Sequence, residues 1–262
     1  MYSFRYLLSI VAVVSTLTAC SQVATVAGYD THNLNQQAQK SYMQVVGQAQ
    51  SKGVLDTTSE TALRVHRIFN RMKPVAEAAN KTGVPFQWEM NVVRENTVNA
   101  WAMPGGKMVV YTGIVEKLNL TDDEIAAIVG HEMAHALKEH AKKDAGQKII
   151  TGAITSVAGS VVSSYTGVDV SSIASLASNL GVDKPFSRSQ ESEADKVGLQ
   201  LMAQSGYNPE YAVSLWDKMN KNNNNNGALS AILSTHPTNN QRIDNIRKLL
   251  PSVIPIYQKN KK

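Results

Sequence analysis

Two histidines four residues apart form the pattern with the clearest chemical content in this chain. His131 and His135 enclose the segment His-Glu-Met-Ala-His, with Glu132 directly after the first histidine. On an α-helix, residues four apart differ by about 40° in azimuth and by roughly 6 Å along the axis, so both imidazoles can bind one metal ion. Glu132 falls beside them, where a carboxylate can act as a general base. The pattern therefore predicts a divalent metal site with a base next to it.

The surrounding residues predict the helix that this pattern needs. Thr121 and Glu124 have the spacing of a capping box, which begins a helix ahead of an apolar run. Apolar side chains between residues 125 and 137 point nearly all the way round that helix, which is typical of a buried one. Buried histidines and carboxylates need partners, because each unpaired polar group costs roughly 1–3 kcal/mol. A metal satisfies them, and the alternative is a chance match on an ordinary core helix. On a continuous helix His140 lies about 180° from His131 and is expected to stay outside the site.

A second acidic segment, Glu191-Ser-Glu-Ala-Asp195, begins a predicted amphipathic helix. Glu191 and Asp195 lie one turn apart on the side of the helix that faces the core, whereas Glu193 points the other way. Buried carboxylates need a cation or strong donors. We therefore predict that Glu191 is the third zinc ligand and that Asp195 fixes the tautomer of a ligand histidine. The alternative is that both carboxylates form salt bridges with Lys or Arg.

The N-terminus resembles a bacterial lipoprotein signal. Arg5 precedes an apolar stretch that ends in Leu17-Thr18-Ala19-Cys20, and this stretch is too short to span a bilayer comfortably. The resemblance implies cleavage before Cys20, lipid attachment to its thiol and a protein tethered at the periplasmic face of a membrane. Ser21 favours the outer membrane over the inner one. The alternative is a plain secretory signal. Because Cys20 is the only cysteine, disulfides and cysteine zinc ligands are excluded from the mature chain.

Composition and local patterns predict a mainly helical α+β fold. The 262 residues suffice for one large domain or two small ones. The net charge is +5, but the sequence shows no basic stripe interleaved with aromatic residues, which argues against nucleic-acid binding. Residues 86–94 and 108–111 predict two strands of a small sheet beside the metal helix. An exposed edge of this sheet could hold an extended peptide, or the strands could merely cover the helix. Residues 146–180 predict two packed helices or a hairpin that touches the membrane.

Taken together, the motifs resemble the HtpX-like and BepA-like family of zinc metallopeptidases. The resemblance covers roughly residues 60 to 250 and rests on the two segments above and on two more, His236-Pro-Thr-Asn-Asn-Gln-Arg242 and Asn99-Ala-Trp-Ala-Met-Pro-Gly-Gly106. It implies a zincin-like domain with one zinc ion per chain, held by His131, His135 and Glu191. It also implies that Glu132 is the catalytic base, with Asp195 in support, and that Arg242 lies close by. Finally, the resemblance implies that Asn99, Ala100, Trp101 and Ala102 bind the substrate.

The resemblance leaves the role of His236 open. In relatives the matching histidine lies near the metal, where it can stabilise the transition state or occupy the open position and silence the enzyme. Unlike the membrane-embedded members, this sequence shows no clear transmembrane hairpin between Ala141 and Glu191. The lipid on Cys20 would replace that hairpin as the anchor. We predict a signal peptide in residues 1–19, a tether in 20–32, the metallopeptidase domain in 33–254 and a basic tail in 255–262.

The sequence thus predicts a zinc-dependent endopeptidase that hydrolyses envelope proteins, plausibly misfolded or misassembled ones, with Glu132 as general base. A competing hypothesis is a zinc-stabilised chaperone or assembly scaffold whose proteolysis is vestigial or locked. Glu132 argues against the scaffold, because a structural zinc site needs ligands and no base. His236 argues for it, because it could close the site. A lipid hydrolase is disfavoured because the chain has no serine elbow motif.

Overall fold

The computed structural model describes residues 20–150, 185–222, 229–237 and 240–261. The predicted signal peptide and most of the segment 146–180 lie outside the described residues. The helices are α1 Thr31–Ser51, α2 Glu60–Ala79, α3 Thr112–Lys117, α4 Asp122–Leu137, α5 His140–Ile150, α6 Arg188–Gln204, α7 Tyr211–Asn222, α8 Ser230–Thr235 and α9 Asn240–Asn260. The strands are β1 Leu55–Asp56, β2 Glu89–Val93, β3 Ala100–Met103 and β4 Lys107–Tyr111. The α+β fold class is confirmed.

The strands form one mixed sheet of four, in the order β1-β2-β4-β3. β2 runs parallel to β4, while β1 and β3 pair antiparallel with their neighbours. Both predicted strands are present, and the sequence analysis missed β1 and β3. A tight turn joins β3 to β4, and in it Gly106 has a φ of 81°. A Cβ there would lie 2.5 Å from the ring of Trp88, so only glycine fits this turn.

The sheet separates two apolar layers, because its side chains alternate between its faces. One face packs under α1, where Tyr42, Trp101 and Tyr111 belong to a small core. The other face carries Met90, Val92, Met108 and Val110 into the main core with the remaining helices. Helix α4 lies at the centre of that core and packs against α2, α6, α7 and β3. The metal motif is thus enclosed on most of its sides.

Helix α4 begins as the sequence predicts and ends earlier than expected. Both hydrogen bonds of the Thr121–Glu124 capping box are formed, and every residue from Glu124 to Leu137 is buried, which confirms the buried helix. The helix then stops: Glu139 has a φ of 51°, and α5 begins at His140. The expected position of His140 was therefore wrong, because it assumed one continuous helix.

Residues at the two ends of the described chain are also helical. Residues 20–26 form a helix whose first residue, Cys20, is buried, with its Sγ 3.3 Å from Oε1 of Gln147. This helix packs so closely on α5 that a Cβ at Gly146 would overlap the backbone of Cys20. At the other end, α9 continues past residue 254 to Asn260. Within the described residues, we find no helix with the length and apolar character needed to cross a membrane.

Candidate metal centre

Four side chains from three parts of the fold converge at the end of α4. His131 and His135 come from α4, Glu191 from the first turn of α6, and His236 from the residue that follows α8. Nε2 of His131 lies 3.0 Å from Nε2 of His135, and Nδ1 of His236 lies 3.2 Å from Nε2 of His131. Oε1 of Glu191 lies 3.2 Å from Nε2 of His135 and 3.0 Å from Nδ1 of His236. All four residues are buried, and their ligand atoms lie within 4.8 Å of one another.

This arrangement fits a zinc ion. Zinc binds nitrogen and carboxylate oxygen at about 2.0–2.2 Å in a tetrahedron, which places neighbouring ligand atoms about 3.3 Å apart. Four of the separations, at 3.0–3.2 Å, are within a few tenths of an ångström of that value. Three imidazoles and a carboxylate are also a donor set that zinc prefers. The residues present could therefore hold the ion without rearrangement of the backbone.

The two helices that carry these ligands approach each other at a pair of glycines. A Cβ on Gly198 of α6 would lie 3.0 Å from the carbonyl carbon of Gly130 and 3.0 Å from the backbone nitrogen of His131. Carbon atoms in ordinary contact are about 3.5–4.0 Å apart. The absence of side chains at both positions therefore lets α6 bring Glu191 and Asp195 against the histidines of α4.

Asp195 and Arg242 support the cluster from behind His131. Oδ1 of Asp195 lies 3.0 Å from Nδ1 of His131, on the side of the ring away from the cluster. Arg242 donates to both carboxylate oxygens of Asp195, at 2.8 and 2.7 Å, and also contacts Glu191. Its guanidinium carbon lies 3.5 Å from the ring centroid of Trp216. Arg242 is therefore held by an aromatic face while it orients two carboxylates.

Burial and charge act in opposite directions on the ligands. Burial lowers the pKa of His131, but the carboxylates of Glu191 and Asp195 outweigh it and raise this pKa to about 9. Burial lowers the pKa of His135 well below its usual value, with only partial compensation from Glu191. For Glu191 burial acts to raise the pKa, but His131 and His236 outweigh it and hold this pKa well below its usual range. The carboxylate is thus kept ionised and His135 is kept neutral, as metal ligands must be, whereas His131 is protonated without a metal and would release a proton when a metal binds.

Glu132 lies beside the cluster without joining it. Burial raises its pKa, against the opposing influence of His236 and His131, and the backbone N–H of Ala102 donates a hydrogen bond to its carboxylate. Nε2 of His236 lies 3.3 Å from Oε1 of Glu132. A carboxylate whose pKa is raised towards neutrality is suited to accept and return a proton.

Of the other residues expected at the site, only Ala102 lies against it. Ala102 belongs to the edge strand β3 and holds Glu132 through its main chain. The side chain of Asn99 accepts a hydrogen bond from the backbone N–H of Ala100 at 2.9 Å. The side chain of Trp101 is 2% exposed, packs under α1 and donates to the hydroxyl of Tyr111, so it does not line the metal centre.

Comparison with known proteins identifies the family. Residues 59–250 match the family described as peptidase family M48, and this range contains every motif residue named above. The chain belongs to peptidase family M48. This membership confirms the resemblance drawn from the motifs, and it is consistent with a cluster on α4, α6 and His236 that could hold a metal.

Named relatives of this M48 chain occur in yeast and bacteria. It is 33% identical over 216 residues to the mitochondrial metalloendopeptidase OMA1 of Schizosaccharomyces pombe, a match that covers 82% of the chain and 60% of that relative. It is 28% identical over 252 residues to the metalloprotease LoiP of Escherichia coli (strain K12), covering 93% and 95%, respectively. A 26% identical match over 266 residues to the E. coli metalloprotease YcaL covers 96% and 99%. The chain thus spans about three fifths of the OMA1 proteins of both yeasts that it matches.

Three residues of this M48 site were missed by the sequence analysis. Nδ1 of His140 lies 2.8 Å from Nδ1 of His135, because the break at Glu139 turns His140 back towards the site. The ring of Phe186 stacks on His135 with a centroid distance of 4.0 Å, and Trp216 packs edge-on against His131 at 5.9 Å. No glycine or proline marks the break after Leu137, so nothing in the local sequence predicts the position of His140.

A pocket opens beside the ligand His135. It lies between the start of α1, the end of β3 and the junction of α4 with α5. Its lining is mainly apolar and includes Leu34, Phe86, Met103 and Phe186, while Lys142 contributes a charged group. This pocket of the M48 domain could receive an apolar side chain adjacent to the metal centre.

Proposed function

We propose that this chain is a zinc-dependent endopeptidase that hydrolyses peptide bonds of envelope proteins. The observation that carries the proposal is the convergence of His131, His135 and Glu191 on one point, with the buried carboxylate of Glu132 beside it. Membership of peptidase family M48 and relatives named metalloendopeptidase and metalloprotease support the same activity. Bound zinc supplies Lewis acidity, which lowers the pKa of a water molecule to about 7 and polarises a carbonyl group.

The residues of the chain divide the remaining work. His131, His135 and Glu191 hold the ion, and Asp195 keeps His131 in the tautomer whose Nε2 is free to bind. Glu132 accepts the proton of the attacking water and passes it to the leaving amine, and its raised pKa suits both steps. The N–H of Ala102 fixes the direction in which this carboxylate points.

His236 controls access to these groups in our proposal. Its Nδ1 lies among the ligand atoms while its Nε2 contacts Glu132, so one ring covers both the fourth metal position and the base. A peptide bond can reach the site only after this ring moves. We therefore propose that the arrangement described here is a closed, resting form of the enzyme.

The substrate would lie along β3 in an extended conformation. β3 is the edge strand of the sheet, and its residue Ala102 contacts the base through the main chain. Addition of a strand to such an edge recognises a peptide without selecting its sequence. The mainly apolar pocket beside His135 would then receive one apolar side chain of the substrate. These features suit unfolded segments with exposed apolar residues.

Location in the envelope is proposed from the N-terminal pattern. Lipid on Cys20 would anchor the protein at the periplasmic face of a membrane, with the outer membrane favoured by Ser21. The thiol lies against Gln147, so lipid attachment would replace that contact. We expect labelled palmitate to be incorporated by the wild type and lost in Cys20→Ser. Incorporation that persists in the variant would refute the anchor.

The decisive test is cleavage of an unfolded protein by the purified chain, with the wild type and Glu132→Gln both verified as zinc-loaded. Loss of a general base costs roughly 10²–10⁴ in rate, so we expect cleavage by the wild type and at most 1% of that rate in the variant, an estimate from this range. Glu77→Gln is the matched control, because Glu77 is exposed and pairs with Lys73 on its own helix α2. Equal cleavage by the wild type and Glu132→Gln would overturn the proposed base.

A zinc-stabilised chaperone or assembly scaffold is the second candidate. The position of His236 favours it, because a ring that covers the base and the fourth ligand position would suppress hydrolysis. The two functions separate in cells. If Glu132→Gln lacks cleavage and still supports envelope integrity, the scaffold is the better account. If envelope integrity is lost together with cleavage, the endopeptidase is the better account.

A further inference from the structure

We propose that His140 and Glu193 form a hydrogen-bonded relay that fixes the tautomer and orientation of the ligand His135. This inference rests on the zinc site of the proposed function and requires no peptidase activity. His140 and Glu193 are positioning residues here, since neither reaches the point on which the ligand atoms converge. The relay would make α5 a part of the metal centre.

The geometry of the three side chains defines the direction of each hydrogen bond. His135 turns Nε2 towards the other ligands, so its proton must be on Nδ1. That Nδ1 lies 2.8 Å from Nδ1 of His140, which must therefore accept. The remaining proton of His140 is then on Nε2, which lies 3.1 Å from Oε2 of Glu193, and an ionised carboxylate can only accept. One assignment of protons satisfies every partner.

The surrounding structure holds this chain of bonds in place. His140 is fully buried, and Glu193 is fixed by Lys138 at 3.1 Å and by Lys143 at 3.0 Å. His140 reaches His135 only because Glu139 adopts a left-handed backbone conformation with a φ of 51°. Such a conformation is unfavourable for a residue other than glycine and persists where its surroundings enforce it. The break between α4 and α5 therefore serves the metal centre.

The two ligand histidines of α4 would then be supported in different ways. Asp195 accepts directly from His131 at 3.0 Å. His135 instead meets a carboxylate through an intervening imidazole, and that carboxylate is 35% exposed. If His140 merely filled the core, an apolar residue of similar size could replace it without changing the affinity for the metal.

The test measures the zinc dissociation constant of the full chain by competition with a chelator. Loss of an outer partner of a metal ligand weakens metal affinity about 10–100-fold, and we expect this range for His140→Leu. His140→Asn should recover most of the affinity, because its Oδ1 can accept where Nδ1 did. Glu193→Ala should weaken binding about 10-fold. Ser192→Ala is the matched control: Ser192 is exposed on α6 next to Glu193 and belongs neither to the relay nor to the proposed ligands, so we expect unchanged affinity.

A spectroscopic measurement keeps the proposal testable even if His140→Leu folds poorly. In the zinc-loaded wild type, ¹⁵N-labelled histidine should show His140 protonated on Nε2 only, and Glu193→Ala should shift the Nε2 resonance of His140, because the hydrogen bond from that nitrogen is lost. A His140 protonated on Nδ1 would overturn the relay, as would a folded His140→Leu variant with wild-type zinc affinity. If the wild type binds no zinc, the proposed function falls together with the relay. If it binds zinc but cleaves nothing, only the peptidase activity is refuted.

Discussion

Gly198→Ala tests whether the close approach of α4 and α6 sets the geometry of the metal centre. The added methyl group would lie 3.0 Å from the carbonyl carbon of Gly130 and 3.0 Å from the nitrogen of His131. Both contacts are with backbone atoms, which cannot turn aside as a side chain can. To restore an ordinary separation of about 3.5 Å, the two helices must move apart by roughly 0.5 Å.

Two opposing effects determine the change in the free energy of unfolding. Overpacking costs about 1–3 kcal/mol, whereas alanine in place of glycine inside a helix contributes about 1 kcal/mol of stability. We therefore expect Gly198→Ala to be less stable than the wild type by about 0–2 kcal/mol. The effect on zinc should be larger, because Glu191 and Asp195 move with α6 while the histidines stay on α4. Since a ligand site tolerates displacements of only about 0.5 Å, we expect at least a tenfold weaker zinc affinity, an estimate of order of magnitude.

Gly47→Ala is the matched control for this experiment. Gly47 lies inside α1, is exposed, and has no atom within 4 Å of the position of an added Cβ. This variant should gain about 0.5–1 kcal/mol of stability and bind zinc as the wild type does. Urea unfolding of the metal-free proteins and chelator competition provide the two readouts. If Gly198→Ala gains stability as Gly47→Ala does and binds zinc equally well, the glycine contact does not set the site.

Three further predictions concern the closed site, the metal and pH. His236 contacts two carboxylates, and each hydrogen bond to a charged group is worth about 1.5–3 kcal/mol. Because these contacts hold the ring over the site, His236→Ala should cleave an unfolded protein about tenfold faster or more. A slower rate in zinc-loaded His236→Ala would instead assign it to transition-state stabilisation. Zinc at 100 times the wild-type dissociation constant should raise the free energy of unfolding by about 2.7 kcal/mol. Glu191→Ala should lose this gain, whereas Glu193→Ala, with about tenfold weaker binding, should keep about 1.4 kcal/mol of it at the same zinc concentration. Burial acts to raise the pKa of Glu124, but hydrogen bonds from Lys218, Ser214 and the N-cap outweigh it and hold this pKa below its usual value. The stability that Glu124 contributes is therefore fully present above its unfolded-state pKa and is lost as the pH falls through its folded-state pKa. Glu124→Gln should then make the free energy of unfolding less dependent on pH in the acid range. An unchanged pH dependence there would contradict this assignment.

Local sequence determined those parts of the protein whose signals lie within a few residues of each other. The capping box at Thr121 and Glu124 fixes where α4 begins, and the four-residue spacing of His131 and His135 places both rings on one face. The α+β fold class and the family could also be predicted, because apolar periodicity and the order of the motifs can be read from the sequence without knowing which residues are in contact.

Only the tertiary structure decided how these parts meet. β1 and β3 are two and four residues long, and such short segments become strands because a neighbouring strand supplies hydrogen bonds. The sequence contains no signal for the break at Glu139, since its left-handed backbone is enforced by surrounding contacts. His140 consequently contacts His135, whereas on a continuous helix its side chain would point away from the site. The residue types needed for zinc chemistry are thus written in the sequence, whereas their distances depend on how closely two helices can pack at Gly130 and Gly198.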